Sequence, residues 1–283
     1  MTTKTSQQHI DAIPVPDRSA AYAPSLAIKL GILYPGQGDI LPFQQLAERL
    51  GVPLYQAWSK ENQESFFLSR QDDCLKLFDT LAATDRSPLQ KSGLTVDIEP
   101  RNGEQRSWPA PKDGALPQAL GRKTKTVVDA TTGWGQDSLH IFRMGYELLC
   151  IERSPVMAEL LADGFMRLAQ QDWMQRLNLC PPLLLQGNAI DLLANLENPP
   201  DCIYLDPMFP PKRKNSALAK KSMMVLRELL GDDQDKEELF EAALKATGKR
   251  VVVKSPDYAT PLGGKPSQSF QGKLLRYDVY LKT

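Results

Sequence analysis

The 283-residue sequence is poor in the residues that most metal sites require. It contains two histidines, His9 and His140, and four cysteines that are scattered without the spacing of a metal-binding motif. Two of these cysteines, Cys150 and Cys202, lie inside apolar runs, which is typical of reduced cysteines in a protein core. We therefore expect no metal site, and the cysteine usage favours a cytoplasmic protein.

Long apolar runs and net charge are also lacking. No stretch approaches the roughly 18 consecutive apolar residues of a membrane-spanning helix, and the polar N-terminus has no apolar signal core. We expect a soluble protein with no membrane partner. Because 34 basic residues balance 34 acidic ones, a general electrostatic attraction to nucleic acid is absent. Any binding to nucleic acid must come from a local basic patch.

Apolar residues make up 42% of the chain, which is enough for a sizeable core. The first part of the chain changes character twice. We predict a disordered tail over 1–24, a small α+β region over 25–97 and a proline-bearing linker over 98–121. The elements predicted within the α+β region are three strands, Leu26–Leu33, Phe66–Arg70 and Cys74–Phe78, and one helix, Phe43–Leu50.

From Thr126 onward, short apolar runs alternate with helical patterns. The predicted strands are Thr126–Ala130, Glu147–Ile151, Leu183–Gln186, Cys202–Leu205 and Arg250–Lys254, and the helical patterns span 136–144, 155–178, 189–196 and 216–246. This alternation predicts an α/β domain over 122–283, with a mostly parallel sheet and helices on both faces. The short remainder of the chain suits a closing hairpin that ends in an antiparallel strand, Leu274–Leu281.

A glycine-containing turn follows the first of these strands. It runs from Asp129 through Gly133 and Gly135 into a helix that begins with Gln136 and Asp137. Glycines let the backbone approach a ligand closely, and the start of a helix offers N–H donors. The sequence therefore predicts a nucleotide-binding turn at this point.

Two further strand ends carry polar groups that suit a nucleotide. Glu152 ends the second strand, where a carboxylate can accept hydrogen bonds from both hydroxyls of an adenosine ribose. The third strand ends in Gly187, Asn188 and Ala189, where a side-chain amide could meet an adenine edge. These strand ends are therefore candidates for cofactor contacts.

The residues of the turn favour S-adenosylmethionine over a nicotinamide dinucleotide. Asp129 would repel a pyrophosphate but attract the ammonium group of a methionine moiety. Ser138 stands where the dinucleotide fingerprint has its third glycine. No downstream His–Asp or Tyr–Lys arrangement offers an acid for hydride transfer. An NAD-linked oxidoreductase stays open as a less favoured alternative.

The stretch after the fourth strand is the most informative of the chain. The apolar run Ile203–Leu205 stops at Asp206, because Pro207 cannot continue a strand ladder, so Asp206 lies at the carboxyl edge of the sheet. Asp206 and a backbone carbonyl of the turn can accept hydrogen bonds from both N–H groups of an exocyclic amine on guanine, adenine or cytosine. The amine's lone pair is then directed towards a methyl donor. Phe209 would stack on the extruded base, and three cations would neutralise flanking phosphates, namely Lys212, Arg213 and Lys214.

Four segments together resemble the ribosomal RNA small subunit methyltransferase J family: DATTGWGQD, IERSP, LDPMFPPKRKNSALAKKSM and RVVVKSPDYATPL. The resemblance runs from about Leu94 to the C-terminus. It implies a class I, Rossmann-like methyltransferase that uses S-adenosylmethionine to methylate the N2 amine of one guanine in 16S rRNA. By residue matching, it places cofactor contacts at Gln136, Asp137, Glu152, Arg153, Asn188, Ala189 and Asp206. Gln136 stands where the family has arginine, and Asn188-Ala189 where it has a serine pair.

We therefore expect a cytoplasmic guanine-N2 methyltransferase whose partner is 16S rRNA or the small ribosomal subunit. Two alternatives stay open at this point. One is methylation of adenine N6 or cytosine N4 in RNA or DNA, because the turn that holds the amine serves all three bases. The other is a non-catalytic RNA-binding factor in ribosome assembly that keeps the cofactor fold.

Overall fold

The computed structural model describes residues 29–59, 61–80, 87–90, 92–100, 108–209 and 235–282. Several predictions therefore fall wholly or partly outside the described residues: the tail over 1–24, the start of the strand Leu26–Leu33, residues 101–107 of the linker, the basic triplet Lys212–Lys214 and the first part of the helix over 216–246. The described chain forms a four-stranded sheet followed by a seven-stranded sheet. None of the helices in these ranges is both long enough and apolar enough to cross a membrane.

The four-stranded sheet has the strand order β2-β1-β3-β4. Its elements are β1 (Leu30–Leu33), α1 (Leu41–Leu50), β2 (Leu54–Tyr55), β3 (Phe66–Gln71) and β4 (Cys74–Asp79). β1 is parallel to β2 and β3, while β3 and β4 form an antiparallel hairpin. The predicted α+β elements therefore form, although β1 begins at Leu30 rather than Leu26 within the described residues.

The four-stranded sheet packs on α4 (Pro155–Ala169), a helix that also contacts the seven-stranded sheet. Asp163 is only 3% exposed and pairs with Arg70 at 2.8 Å and with Arg167 at 2.9 Å. The segment that follows β4 also approaches α4 closely. This approach requires glycine at position 164, because a Cβ atom on Gly164 would lie 2.6 Å from Cγ1 of Val96. One apolar core consequently runs through both sheets.

The segment over 98–121 differs from the predicted linker. Within its described part, Ala115–Leu120 form the helix α2, and Leu116, Pro117, Ala119 and Leu120 are all buried. Glycines with positive φ flank this helix, Gly114 at 98° and Gly121 at 91°. Its proline and glycine content suggested a loop, but its apolar residues bury against the core and hold it in place. The division of the chain into domains stays a prediction.

The seven-stranded sheet has the order β10-β11-β9-β8-β5-β6-β7. Its strands are β5 (Thr126–Asp129), β6 (Glu147–Glu152), β7 (Leu183–Gln186), β8 (Cys202–Leu205), β9 (Arg250–Pro256), β10 (Gln268–Gln271) and β11 (Leu275–Leu281). β5 to β9 are all parallel, and β11 runs antiparallel to β9 and β10. The predicted α/β sheet with an antiparallel final strand is confirmed.

Helices cover both faces of this sheet, because the strand residues alternate between two apolar clusters. The remaining helices are α3 (Gln136–Arg143), α5 (Asp172–Arg176), α6 (Ala189–Ala194) and α7 (Lys236–Ala246). Val127, Cys202 and Tyr204 belong to the core that α2, α3 and α4 cover, while Val128 and Ile203 belong to the core that α6 and α7 cover. The helix predicted over 155–178 is divided into α4 and α5, since Gln171 is extended with ψ 135°.

The strand order reverses beside β5, which positions the site. From β5 the chain proceeds outward through β6 and β7, and it then returns to place β8 on the other side of β5. In open α/β sheets, ligands bind outside the carboxyl ends of the strands at such a reversal. The residues that follow β5, β6, β7 and β8 are therefore the ones to search for a site.

Candidate active site

A cleft with an empty volume of about 560 Å³, counting its opening to solvent, lies at this carboxyl edge. Each of its walls comes from a different strand end or helix. The residues that line it are Ala130, Thr131, Gly133, Glu152, Arg153, Gly187, Asn188, Ala189, Ile190, Asp206, Met208, Asp235 and Leu239. The cleft therefore unites the ends of β5, β6, β7 and β8 with the start of α7.

Glu152 joins two walls of the cleft. Its carboxylate accepts a hydrogen bond from the backbone N–H of Gly133 at 2.8 Å and another from the N–H of Ser154 at 2.8 Å. Gly133 has a φ of 54°, so the turn after β5 depends on a backbone conformation that glycine adopts readily. Although Glu152 is only 4% exposed, it reaches the cleft and anchors the turn beside it.

The opposite side of the cleft is built by helix starts. Asn188 caps α6, because its side-chain oxygen accepts a hydrogen bond from the N–H of Ile190 at 3.0 Å. Arg153 pairs with Asp235 at 3.2 Å, and both residues line the cleft. Ile190 and Leu239 add apolar surface. The cleft wall therefore combines polar and apolar groups.

Asp206 lies on the cleft wall where β8 ends. Its backbone N–H donates to Oγ1 of Thr131 at 2.6 Å, which ties the turn after β8 to the turn after β5. Pro207 is buried, and Met208 lines the cleft. Phe209 is half-buried against the core, with the ammonium of Lys236 at 5.5 Å from the ring centroid. The turn is thus held by backbone, proline and core contacts.

A lysine that the sequence analysis did not assign completes the site. Nζ of Lys254, on β9, lies 2.7 Å from Oδ2 of Asp206 and 2.7 Å from Oδ2 of Asp137. Burial opposes the charge on this ammonium, but the nearby carboxylates outweigh that effect and raise the pKa of Lys254. In the sequence, Lys254 stands at the end of a predicted strand. That position does not indicate which residues the lysine contacts.

The predicted cofactor residues divide into two groups. Those on the cleft wall are Gly133, Glu152, Arg153, Asn188, Ala189 and Asp206. Those that do not line the cleft are Asp129, Gly135, Gln136 and Asp137. Gln136 is exposed at the start of α3, while Gly135 is buried with a φ of 71° and shapes the turn. The basic triplet Lys212–Lys214 lies outside the described residues.

Within this second group, Asp129 is enclosed by its own surroundings. It is 1% exposed, and its two oxygens are used inside the turn. Oδ1 accepts from the N–H of Thr131 at 3.1 Å, and Oδ2 accepts from the hydroxyl of Ser138 at 2.5 Å. Burial raises the pKa of Asp129 to about 7. Its side chain stabilises the turn from within and does not face the cleft.

The wall groups fit S-adenosylmethionine. A carboxylate at the end of the second parallel strand suits ribose hydroxyls, and the apolar side chains of Ile190 and Leu239 on the cleft wall suit a purine. Asp206 and Met208 form the end of the cleft where the turn after β8 begins. In the described part of the chain, no cluster of three or more His, Cys, Asp or Glu side chains is arranged to hold a metal ion.

Comparisons with known proteins agree with this geometry. The family model for SAM-dependent methyltransferases matches residues 53–282. A solved SAM-dependent methyltransferase from Neisseria gonorrhoeae has the same fold, with a TM-score of 0.61 and 24% identity over 89% of this chain and 96% of that chain. Fold and cleft thus define an S-adenosylmethionine-dependent methyltransferase, as the sequence predicted.

Two curated relatives narrow the class. The protein named ribosomal RNA small subunit methyltransferase J from Shewanella amazonensis is 41% identical over 214 residues, which span 72% of this chain and 84% of the relative. Its namesake from Aeromonas salmonicida is 45% identical over 193 residues, which span 65% of this chain and 75% of the relative. The chain belongs to the ribosomal RNA small subunit methyltransferase J family, which confirms the resemblance seen in the sequence.

Proposed function

We propose that this enzyme transfers a methyl group from S-adenosylmethionine to the exocyclic N2 amine of one guanine in small-subunit (16S) ribosomal RNA. The names of the curated relatives support ribosomal RNA as the substrate. Reduced cysteines and this substrate support the cytoplasm as the compartment. The observation that carries the proposal is the position of Asp206 on the wall of the cofactor cleft.

The chemistry demands a strong acceptor beside the methyl donor. An exocyclic amine is a poor nucleophile, because its lone pair is delocalised into the ring. Asp206 accepts a hydrogen bond from the amine and a backbone carbonyl of the same turn accepts a second one, so that the lone pair is directed towards the donor. When bound, S-adenosylmethionine supplies a methyl group that its positively charged sulfur makes electrophilic.

The other residues of the turn hold Asp206 and the target base in position. Pro207 fixes the direction of the chain after Asp206, and the bond to Thr131 at 2.6 Å fixes its backbone. The accessible part of the Phe209 ring stacks on the extruded base, a contact worth about 1–3 kcal/mol in nucleic-acid sites. Lys212, Arg213 and Lys214 contact phosphates, which the predicted basic patch supports.

On the cofactor side, each wall residue has a proposed task. The carboxylate of Glu152 accepts hydrogen bonds from the ribose hydroxyls, while the hydrogen bonds that it accepts from two backbone N–H groups hold the turn in place. Gly133 presents its backbone to the ligand, and Asn188 and Ala189 border the adenine. Arg153, which is ion-paired with Asp235, borders the bound cofactor.

The test is nucleoside mass spectrometry of 16S rRNA from cells with and without the gene. We expect deletion to remove one N2-methylguanine, wild-type protein to restore it, and Asp206→Asn to fail. Asp172→Asn, an exposed acid at the start of α5, is the matched control and should restore it fully.

Other products would point elsewhere. Loss of N6-methyladenine or N4-methylcytosine with N2-methylguanine unchanged would contradict the guanine assignment. Restoration of growth and of ribosome assembly by Asp206→Asn, with no change in any methylated nucleoside, would favour a non-catalytic assembly role.

A further inference from the structure

Lys254 bridges two carboxylates that come from different parts of the chain. Asp206 follows β8 and is 37% exposed at the side chain, whereas Asp137 is in the first turn of α3 and is 14% exposed. Both Oδ2 atoms lie 2.7 Å from the same nitrogen, so they are within about 5.5 Å of each other, a separation at which like charges repel strongly without a cation between them.

The carboxylate of Asp137 is largely enclosed by the protein. Its Oδ2 also accepts a hydrogen bond at 2.7 Å from the hydroxyl of Tyr204, a residue with no exposed surface. The cleft wall includes Asp206 but not Asp137. The carboxylate of Asp137 therefore contacts Lys254, and through it the Asp206 side chain.

The surroundings of Asp137 and Asp206 are such that both acids can be ionised together only with the ammonium of Lys254 between them. Asp129, fully buried beside this group, is raised in pKa by burial, and the charges of Asp137 and Asp206 raise it further. Tyr204 on β8 and Tyr277 on β11, the strand neighbour of Lys254, face the same region. Without the ammonium, the carboxylates of Asp137 and Asp206 would repel each other in a partly desolvated pocket.

We infer that Lys254 and Asp137 are a positioning pair for the acceptor carboxylate of Asp206. Lys254 fixes the direction of that carboxylate and keeps it ionised, so that it can accept a hydrogen bond from the target amine. Asp137 holds the other side of the ammonium and acts on Asp206 through Lys254. This inference rests on the proposed function and names the residues that prepare its acceptor.

The experiment compares four variants with the wild type in steady-state methylation of 16S rRNA. Lys254→Met removes the charge but keeps the length of the chain, Lys254→Arg keeps the charge, and Asp137→Asn removes one anchor. Lys249→Met is the matched control. Lys249 directly precedes β9, the strand that carries Lys254. It forms an equally short ion pair, at 2.7 Å from Asp201, at the opposite edge of the sheet.

We expect Lys254→Met to lower kcat about 100-fold, as misplacement of a reacting group does, while the Kd for S-adenosylmethionine stays within about threefold. The acidic limb of its pH–rate profile should move up by about one to two pH units, because Asp206 then loses its counter-charge. Lys254→Arg should restore the wild-type pH profile. Asp137→Asn should lower kcat less than Lys254→Met does and should shift the pH profile in the same direction, and Lys249→Met should leave kcat and the pH profile unchanged.

A second readout needs neither RNA nor cofactor. In protein labelled with ¹³C at aspartate carboxyl carbons, the Asp206 resonance of Lys254→Met should titrate at higher pH than in the wild type. If the wild-type protein methylates no ribosomal RNA but this shift occurs, the proposed function fails while the positioning pair stands. A folded Lys254→Met with an unchanged titration midpoint would overturn the inference.

Two kinetic results would also overturn it. One is a Lys254→Met variant that keeps the wild-type kcat and pH profile. The other is an Asp137→Asn variant that keeps the wild-type kcat and pH profile, since Asp137 would then not be needed to hold Lys254 in place.

Discussion

Asp129 should make the stability of this protein depend on pH in an unusual direction. Its pKa in the folded protein is about 7, against an ordinary value of 3.8, and burial is the main cause. Because the folded state holds the proton more tightly than the unfolded state, the free energy of unfolding decreases as pH rises from about 4 to about 7. Most carboxylates that are ion-paired or hydrogen-bonded in folded proteins act in the opposite direction.

The magnitude follows from the size of the shift. Each unit of pKa difference corresponds to about 1.4 kcal/mol, and about two units separate pH 5 from the folded pKa, so the loss between pH 5 and pH 8 is about 2–3 kcal/mol. Asp129→Asn should remove this loss. An asparagine amide can accept from the N–H of Thr131 and donate to the hydroxyl of Ser138, as a protonated Asp129 would.

The assay is urea unfolding of wild type and variant at pH 5 and pH 8. The variant should gain about 2–3 kcal/mol relative to the wild type on going from pH 5 to pH 8. Asp191→Asn, an exposed first-turn acid of α6, is the control and should show no such gain. Parallel pH dependence in Asp129→Asn and the wild type would refute the reasoning, because Asp129 would then be ionised in the folded protein at pH 5.

Two further predictions concern the cofactor cleft. Glu152→Ala leaves two backbone N–H groups without their acceptor, so we expect a loss of about 2–4 kcal/mol in the free energy of unfolding by urea titration, together with at least a tenfold weaker Kd for S-adenosylmethionine by calorimetry. Glu147→Ala, at the exposed start of the same strand, should change neither, and equal behaviour of the two variants would contradict the role of Glu152. Gly135→Ala forces a side chain into a φ of 71° and places its Cβ 2.8 Å from Leu161, so the melting temperature should fall by about 2–6 °C. An unchanged melting temperature would show that the turn relaxes without cost.

Local patterns in the sequence predicted the parallel sheet and several residues of the cleft wall. An apolar strand followed by a polar residue identifies a strand end wherever it occurs, and Glu152 and Asp206 were found in this way. Asn188 at the start of a helix carries its own signal, because its side chain caps the N–H two residues ahead. Parallel strands bring their carboxyl ends to one edge, so these separate signals predicted a common site.

Burial was not readable from the same patterns. Asp129 ends a strand just as Glu152 does, yet its carboxylate is enclosed by Thr131 and Ser138 and does not line the cleft. The helix Ala115–Leu120 lies in a segment whose prolines and glycines suggest a loop, and it forms because its apolar side chains meet the core. Both outcomes depend on what packs above a residue, which composition does not reveal.

By itself, the sequence determined the α/β sheet, the family and the position of Asp206 at a strand end, because each rests on neighbours along the chain. Only the tertiary structure decided what holds Asp206 in place. Lys254 is separated from Asp206 by 48 residues and from Asp137 by 117, and an ion pair over such a distance carries no local signal. The strand order β9-β8-β5 brings the three together, because adjacent parallel strands end at the same edge.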